Sequence, residues 1–177
     1  MDACEPFRGK TITLMGLGVL GRGVGDAKFL AECGAQLIVT DKNSEAELAE
    51  SVAQLKQYPN IQFHLAGHRI EDFTNCDLVI KAAGVPLDSP EIAAAKKAGV
   101  QVAMSTALFA KFAAEAGATI VGITGTRGKT TVSQMIYSSL IRANKPTILG
   151  GNVRGVSTLA MLPEVKPQDI VVLELDS

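Results

Sequence analysis

The sequence predicts an α/β protein built on parallel sheets, and three observations predict it. Short β-rich apolar runs alternate with helical patterns through most of the 177 residues. Two glycine-rich turns, at 16–21 and 125–128, each stand between such a run and a helix. The final run, "DIVVLELDS" (169–177), is almost continuously apolar, as strands covered on both faces are.

The elements follow in order. "TITLMG" (11–16) is a strand ending at glycine, and "GDAKFLAECG" (25–34) sets Ala27, Leu30 and Ala31 on one face of a helix that stops at Gly34. "QLIVTD" (36–41) is the second strand. In "SEAELAESVAQLKQY" (44–58), Ser44 and Glu47 stand at capping-box spacing ahead of an apolar stripe of Leu48, Val52 and Leu55, which predicts a helix over the whole stretch. "IQFHLAG" (61–67) and "CDLVIKAAG" (76–84) are strands, "SPEIAAAKKAG" (89–99) is a helix with Pro90 at its first position, and "VQVAMS" (100–105) closes the series. Strands alternating with helices in this way form βαβ units.

A second series then begins. "STALFAKFAAEAG" (105–117) is a connecting helix, "TIVGIT" (119–124) a strand, "KTTVSQMIYSSLIRAN" (129–144) a helix with Met135, Ile136 and Leu140 as its core stripe, and "PTILGGNV" (146–153) a strand into a glycine turn. The division is therefore a first domain at 1–104 and a second at 105–177. Ending on an apolar strand after so few elements, the second domain is expected to be cut through its middle, which makes the chain a fragment of a longer protein.

Composition narrows the function. With 47% hydrophobic and 20% charged residues the chain has core enough for these domains, and a net charge of −1 offers no basic field to a nucleic acid or an anionic membrane. No run approaches the ~18 apolar residues of a membrane span, and the N-terminus has no apolar export signal, so a cytoplasmic protein acting on small molecules is expected. Cys4, Cys33 and Cys76 are odd in number and widely spaced, which predicts reduced thiols rather than a disulfide or a zinc site.

Both glycine turns suit phosphates. In "GLGVLG", Gly16, Gly18 and Gly21 fit G-x-G-x-x-G, and Asp41 ends the next strand. Glycines let the backbone approach a diphosphate at a helix N-terminus, where free N–H groups and the dipole favour an anion, and the carboxylate accepts a ribose or base hydrogen bond. The pattern does not say which nucleotide. In "GITGTRGKTT", Gly125, Gly128, Lys129 and Thr130 form a G-x-x-G-K-T loop that lacks the first glycine of a Walker loop, since Ile123 stands there. Gly128 lets the N–H groups turn inward, Lys129 reaches β- and γ-phosphate oxygens, and the Thr130 hydroxyl coordinates Mg²⁺. Glu174 joins them as a metal ligand if its strand is central.

The loop "GITGTRGKTT" resembles the shortened phosphate loop of the Mur ligases, the ATP-dependent amino-acid ligases of peptidoglycan precursor synthesis. "GLGVLG", "VTD", "HLAGHRIEDF", "AAGVPLDSP", "GGNV" and "LEL" follow in the order of the branch that adds D-glutamate. The resemblance implies a Rossmann-like domain that binds a uridine diphosphate compound, followed by part of a P-loop-type ATPase domain. It implies that the backbone at Gly18, Val19 and Leu20 faces the diphosphate and Asp41 the uracil end, with Gly84 and Asn152 near the diphosphate and sugar. Gly125, Thr126, Arg127, Gly128, Lys129, Thr130 and Thr131 are the implied ATP loop. Lys129, Thr130 and Glu174 are the implied catalytic groups, the last two holding Mg²⁺. The implied reaction joins D-glutamate to UDP-N-acetylmuramoyl-L-alanine after ATP activates its carboxylate. In this piece, which lacks the amino-acid site, no turnover is expected. The chain departs from the family at Arg127 (often Asn), at Ala82 and Ala83 (Ser-Pro before Gly84), at Lys42 (Thr) and at Asp176 (Ser).

Other readings weigh less. A nicotinamide-dependent dehydrogenase fused to an unrelated P-loop segment lacks a hydride-transfer acid or base beside the first turn, and a non-catalytic UDP-sugar-binding module is told apart by the length of the parent reading frame, which the resemblance predicts to run a couple of hundred residues past Ser177. His64 and His68 have a zinc-ligand spacing only on a helix, and "HLAGH" crosses a strand end, so both are expected in loop or surface roles. Lys96 and Lys97 close a helix favourably for its dipole.

Overall fold

The computed structural model describes residues 2–18, 22–152 and 157–175. Strands β1 (Thr11–Met15), β2 (Gln36–Thr40), β3 (Ile61–His64), β4 (Leu78–Lys81) and β5 (Gln101–Ala103) form one parallel sheet in the order β3-β2-β1-β4-β5. Helices α1 (Arg22–Glu32), α2 (Ala49–Leu55), α3 (Glu71–Thr74) and α4 (Pro90–Lys97) connect them. The chain leaves β1 toward β2 and β3, then returns to build β4 and β5 on the other side. Loops after β1 and β4 therefore part from one another, and in open parallel sheets that divergence opens a ligand crevice at the carboxyl ends of the strands.

Helix α5 (Ser105–Glu115) leads into a second parallel sheet of β6 (Thr119–Ile123), β7 (Thr147–Gly151) and β8 (Ile170–Glu174), ordered β6-β8-β7, with α6 (Lys129–Arg142) between β6 and β7. The fully buried Phe7 packs edge-on against Phe29 of α1, at 5.9 Å, and against Phe112 of α5, at 5.5 Å. This aromatic cluster ties the connecting helix to the first sheet's helical layer.

Several expectations are corrected. The helix predicted over 44–58 spans only Ala49–Leu55. Ser44 and Glu47 do make their box, the Ser44 N–H donating to Glu47 Oε2 at 2.8 Å and the Glu47 N–H to Ser44 Oγ at 3.4 Å, but it closes a separate turn before the helix. Met135 is 64% exposed, because the face of α6 turned to its narrow sheet runs through Ser133, Ile136 and Leu140, and Met135 lies off that i, i+3, i+7 line. A 3₁₀ segment at Leu159–Glu164, which the sequence reading leaves out, buries Leu159 and Leu162.

The cysteine expectation fails as well. Cys4 and Cys33 form a disulfide with Cα atoms 4.8 Å apart. The N-terminal turn folds back over the end of α1, where the Gly9 N–H donates to Gly34 O at 3.1 Å, and this brings the two together across 29 residues. Cys76 keeps its thiol, pushed above the ordinary range by burial.

Candidate functional site

The first glycine turn leaves β1 at Gly16, whose N–H donates to Thr40 O at 2.8 Å. Gly16 has φ +94°, and a Cβ there would stand 2.8 Å from the Cβ of Ala82, so the crossing of the turn with the chain after β4 requires glycine. The Gly18 N–H donates to Asp41 Oδ2 at 3.1 Å, and the Asn43 N–H donates to Asp41 Oδ1 at 2.9 Å. Asp41, only 6% exposed, thus ties the turn after β1 to the turn after β2. Val19, Leu20 and Gly21 lie outside the described residues.

Gly16, Asp41, Asn43, His68, Gly84 and Ser89 line one cleft at the carboxyl ends of β1, β2 and β4. The structure thus brings the predicted Asp41 and Gly84 together, with Gly18 bonded to Asp41. Lys42, one of the departures from the family pattern, lines the same cleft. The segment carrying Gly84 is held by the buried Lys81, whose amine donates to Ala82 O at 3.3 Å and Val85 O at 2.9 Å. A charged amine with both contacts to carbonyls fixes that turn while meeting part of its own hydrogen-bond demand.

Two histidines take roles that the sequence reading misses. His64 sits on β3 with its side chain 11% exposed, and its Nδ1 lies 2.7 Å from Asp72 Oδ2, so it is an interior pairing group rather than a surface one. Asp72 in turn accepts the Thr13 hydroxyl at its carbonyl, linking α3 to β1. His68 enters the cleft itself, with Nδ1 2.7 Å from Thr40 Oγ1. Burial pushes the His68 imidazole below its ordinary value, Lys42 adds to that, and Glu91 and Asp41 oppose it. The usable signal was positional: His68 follows a glycine turn at the carboxyl end of a parallel strand, where ligand-facing residues gather.

The second turn is built in the same manner. Gly128, at φ +78°, opens α6 from a left-handed conformation, and Lys129 donates from Nζ across the loop to Gly125 O at 2.9 Å. Strand β8 is the central one, with Glu174 in register between Ile123 and Gly151. The Thr130 hydroxyl donates to Glu174 Oε1 at 3.1 Å. Thr126, Arg127, Lys129, Thr130, Asn152 and Glu174 line one pocket. Gly128 and Thr131 complete its wall. Asn152 donates its N–H to Glu174 O at 2.8 Å, so it is grouped with this loop and not with the cleft of Asp41 and Gly84. Asp176 lies outside the described residues. The pocket presents a lysine cation, a hydroxyl beside a carboxylate, and a helix N-terminus, the group types that a triphosphate and its divalent cation require.

The units also meet at a polar seam. Ser157 donates to Asp26 Oδ1 at 2.5 Å, and a small cavity there is lined by Gly16, Asp26, Lys81, Ser105, Ser157 and Thr158. The first glycine turn therefore backs onto the second unit. No helix among the described residues is long and apolar enough to cross a membrane.

Known proteins share this sequence and this fold. Residues 10–104 match the family model "Mur ligase MurD-like, N-terminal domain". The chain is 39% identical over 172 residues to the UDP-N-acetylmuramoylalanine–D-glutamate ligase of Treponema pallidum, covering 97% of this chain and 32% of that protein. The ligase of the same name from Anaeromyxobacter dehalogenans is 38% identical over 175 residues, covering 99% and 36%. The chain thus spans about a third of the length of these relatives. Among solved structures, the UDP-N-acetylmuramate-alanine ligase of Thermotoga maritima superposes with a TM-score of 0.52 at 22% identity, covering 93% of this chain and 36% of that one. A murein peptide ligase from Psychrobacter arcticus also gives 0.52, at 18% identity, covering 95% and 38%; both likenesses concern the fold. With the match to its N-terminal domain extending over more than half of the residues, the chain belongs to the MurD-like Mur ligases.

Proposed function

We infer that the chain supplies the uridine-substrate cleft and the phosphate loop of an ATP-dependent ligase that joins D-glutamate to UDP-N-acetylmuramoyl-L-alanine. The observation that carries this reading is the presence of two glycine turns on two parallel sheets, one braced by Asp41 and the other facing Glu174 across the Thr130 hydroxyl. A binding module needs the first turn alone. A ligase that activates a carboxylate with ATP needs both.

In this reading Gly18 and the following turn hold the diphosphate, Asp41 braces the turn and faces the uridine end, and Gly84 lines the opposite wall. Lys129 holds the transferring phosphoryl group, and the N–H groups from Gly125 through Thr131 orient the rest of the triphosphate. Thr130 and Glu174 fit a magnesium ion, since a hydroxyl and a carboxylate stand within 3.1 Å of each other. When bound, the ion neutralises charge on the phosphates. The reaction is then an attack by the substrate carboxylate on the γ-phosphoryl group, which releases ADP and leaves an acyl phosphate, followed by attack of the D-glutamate amine on that carbonyl, which expels inorganic phosphate as the amine gives up a proton. The amino acid's own site is assigned to no residue here.

Calorimetric titration of this chain with UDP, UDP-N-acetylglucosamine and NADH tests the first half of the reading. Binding of the uridine compounds without NADH is expected. Binding of NADH alone overturns it in favour of a dehydrogenase.

A further inference from the structure

A continuous set of buried contacts joins the two glycine turns, and the proposed reaction gives its middle no role. Helix α1 follows the first turn, and Asp26, in its second turn, accepts the Ser157 hydroxyl at 2.5 Å. Both residues are buried. Ser157 Oγ also accepts the Ala160 N–H at 3.1 Å, so one hydroxyl holds α1 and starts the 3₁₀ segment. The next residue, Thr158, clamps the end of β7. Its Oγ1 accepts the Gly151 N–H at 3.0 Å and donates to Gly151 O at 3.1 Å. Gly151 stands in register with Glu174, whose backbone carbonyl accepts the Asn152 N–H at 2.8 Å and whose side chain meets Thr130 of the second turn.

Close packing leaves this route little slack. A Cβ on Gly25 would stand 2.5 Å from Ser157 Cβ, and a Cβ on Gly151 would stand 2.1 Å from Glu174 O. Neither neighbour is the free end of a long side chain, so a shift of α1 is passed on rather than absorbed. The acceptor at the seam is a carboxylate, which makes that hydrogen bond the stronger, charge-assisted kind.

Resting on the uridine and ATP readings of the two turns, we propose that the seam of Gly25, Asp26 and Ser157 couples the two sites, each ligand tightening the binding of the other by one and the same factor. A ligand on the first turn fixes the start of α1, and through Ser157 and Thr158 it orders the end of β7 beside Glu174. ATP and its magnesium ion then meet a loop whose ordering cost has already been met. Reciprocity follows, because a coupling free energy between two sites has no direction. Each ligand alone is held by its own turn; the coupling belongs to the doubly occupied chain. Asp26 lines neither ligand pocket and acts through Ser157, so it is a positioning residue.

A double-ligand titration tests the proposal. ATP with Mg²⁺ is titrated into the chain alone and into the chain saturated with UDP-N-acetylglucosamine, and the order is then reversed. The ratio of the two affinities is the coupling factor, and taking it within each protein cancels any change in the affinity for a single ligand. The wild type is expected to show about fivefold tightening in both orders, the lower end of ordinary coupling between sites. The factor should fall to unity in Asp26→Ala, which removes the acceptor, and in Gly25→Ala, which wedges the seam. Asp26→Asn keeps an oxygen for the Ser157 proton and should retain most of the coupling. Thermal melting confirms that each variant is folded. Hydrogen exchange adds a local readout: UDP-N-acetylglucosamine should slow exchange at the Gly151 and Ala160 amides of the wild type and not at those of Asp26→Ala. A factor of unity in the wild type, or a factor kept in both Asp26→Ala and Gly25→Ala, overturns the proposal and leaves the readings of the two turns standing. If either ligand binds no form of the chain, the reading of that turn fails and this proposal falls with it.

Discussion

Thr130 and Glu174 stand 44 residues apart in sequence and 3.1 Å apart in space, the hydroxyl on the first turn of α6 and the carboxylate at the end of the central strand β8. Glu174 is 5% exposed, so its charge has few other ways to be satisfied. A buried carboxylate next to a phosphate loop is costly to keep without a cation or donor, and the hydroxyl supplies only one hydrogen bond.

Two substitutions separate this pair from the rest of the chain. Thr130→Val and Glu174→Gln are expected to weaken magnesium-dependent ATP binding by about tenfold or more each, the scale of a hydrogen bond or ligand to a charged group. Neither should alter binding of UDP, since both lie at the second loop. Titration of each variant with ATP, with and without magnesium, checks this. Loss of UDP affinity in Glu174→Gln would show that the two loops are not separable.

Asp41 yields a different expectation. Its two oxygens hold the N–H groups of Gly18 and Asn43, so Asp41→Ala frees both turns that border the cleft. Each charged hydrogen bond of this kind contributes ~1.5–3 kcal/mol, and uridine compounds should bind more weakly by a factor within that range. Asp41→Asn keeps one acceptor and should recover part of the loss. Affinity unchanged in Asp41→Ala would remove the carboxylate from any role in the cleft.

The sequence made these residues visible because their signals are local. Gly16, Gly18, Gly125 and Gly128 announce turns by conformation alone, and alternating strands and helices imply that the turns collect at one sheet edge. Asp41 and Glu174 then follow as acidic residues at strand ends. His68 was not visible because its role depends on Thr40, 28 residues away, and on the path of the chain through Gly67. His64 was misplaced for a similar reason, its partner Asp72 lying on the short helix α3 that the sequence reading does not predict. Met135 shows the limit of an apolar pattern: with Ile136 beside it, only the packing of α6 on its sheet decides which of the two is turned inward.

The disulfide is the clearest case of tertiary information, and it carries a stability prediction. Closing a 29-residue separation restrains the unfolded chain by about 3–4 kcal/mol in the loop-entropy account. Reduction, or the Cys4→Ser and Cys33→Ser pair, should lower the melting temperature by roughly 6–16 °C. The Asp41 cleft should keep its affinity, because neither cysteine lines it. Mass spectrometry under non-reducing conditions establishes the bond. Melting temperatures with and without reductant then measure its contribution.

The last prediction concerns pH. Burial, followed by Lys42, pushes His68 below its ordinary value of 6.5, while Glu91 on α4, Asp41 after β2 and Asp72 on α3 pull it upward. The imidazole is therefore neutral in the folded chain through neutral pH and gains its second proton only in more acid solution. Because the Thr40 hydroxyl donates to Gly67 O and so accepts from His68 Nδ1, protonation puts its hydrogen on Nε2, which removes an acceptor from the cleft wall and adds a second cation beside Lys42. Affinity for uridine compounds should hold above 6.5 and fall as pH drops through the depressed folded value. The same sign governs stability: a base whose folded value is depressed contributes fully above its unfolded value, and that contribution is lost as pH falls. UDP is a poor probe because its terminal phosphate gains a proton near pH ~6. UDP-N-acetylglucosamine, whose diphosphate is esterified at both ends, has no such titration in the window. Its affinity measured from about pH 8 to about pH 5 should decline in the wild type and stay nearly level in His68→Ala, the window in which histidine changes charge. Equal declines in both proteins would assign the pH dependence to another group and remove His68 from the binding step.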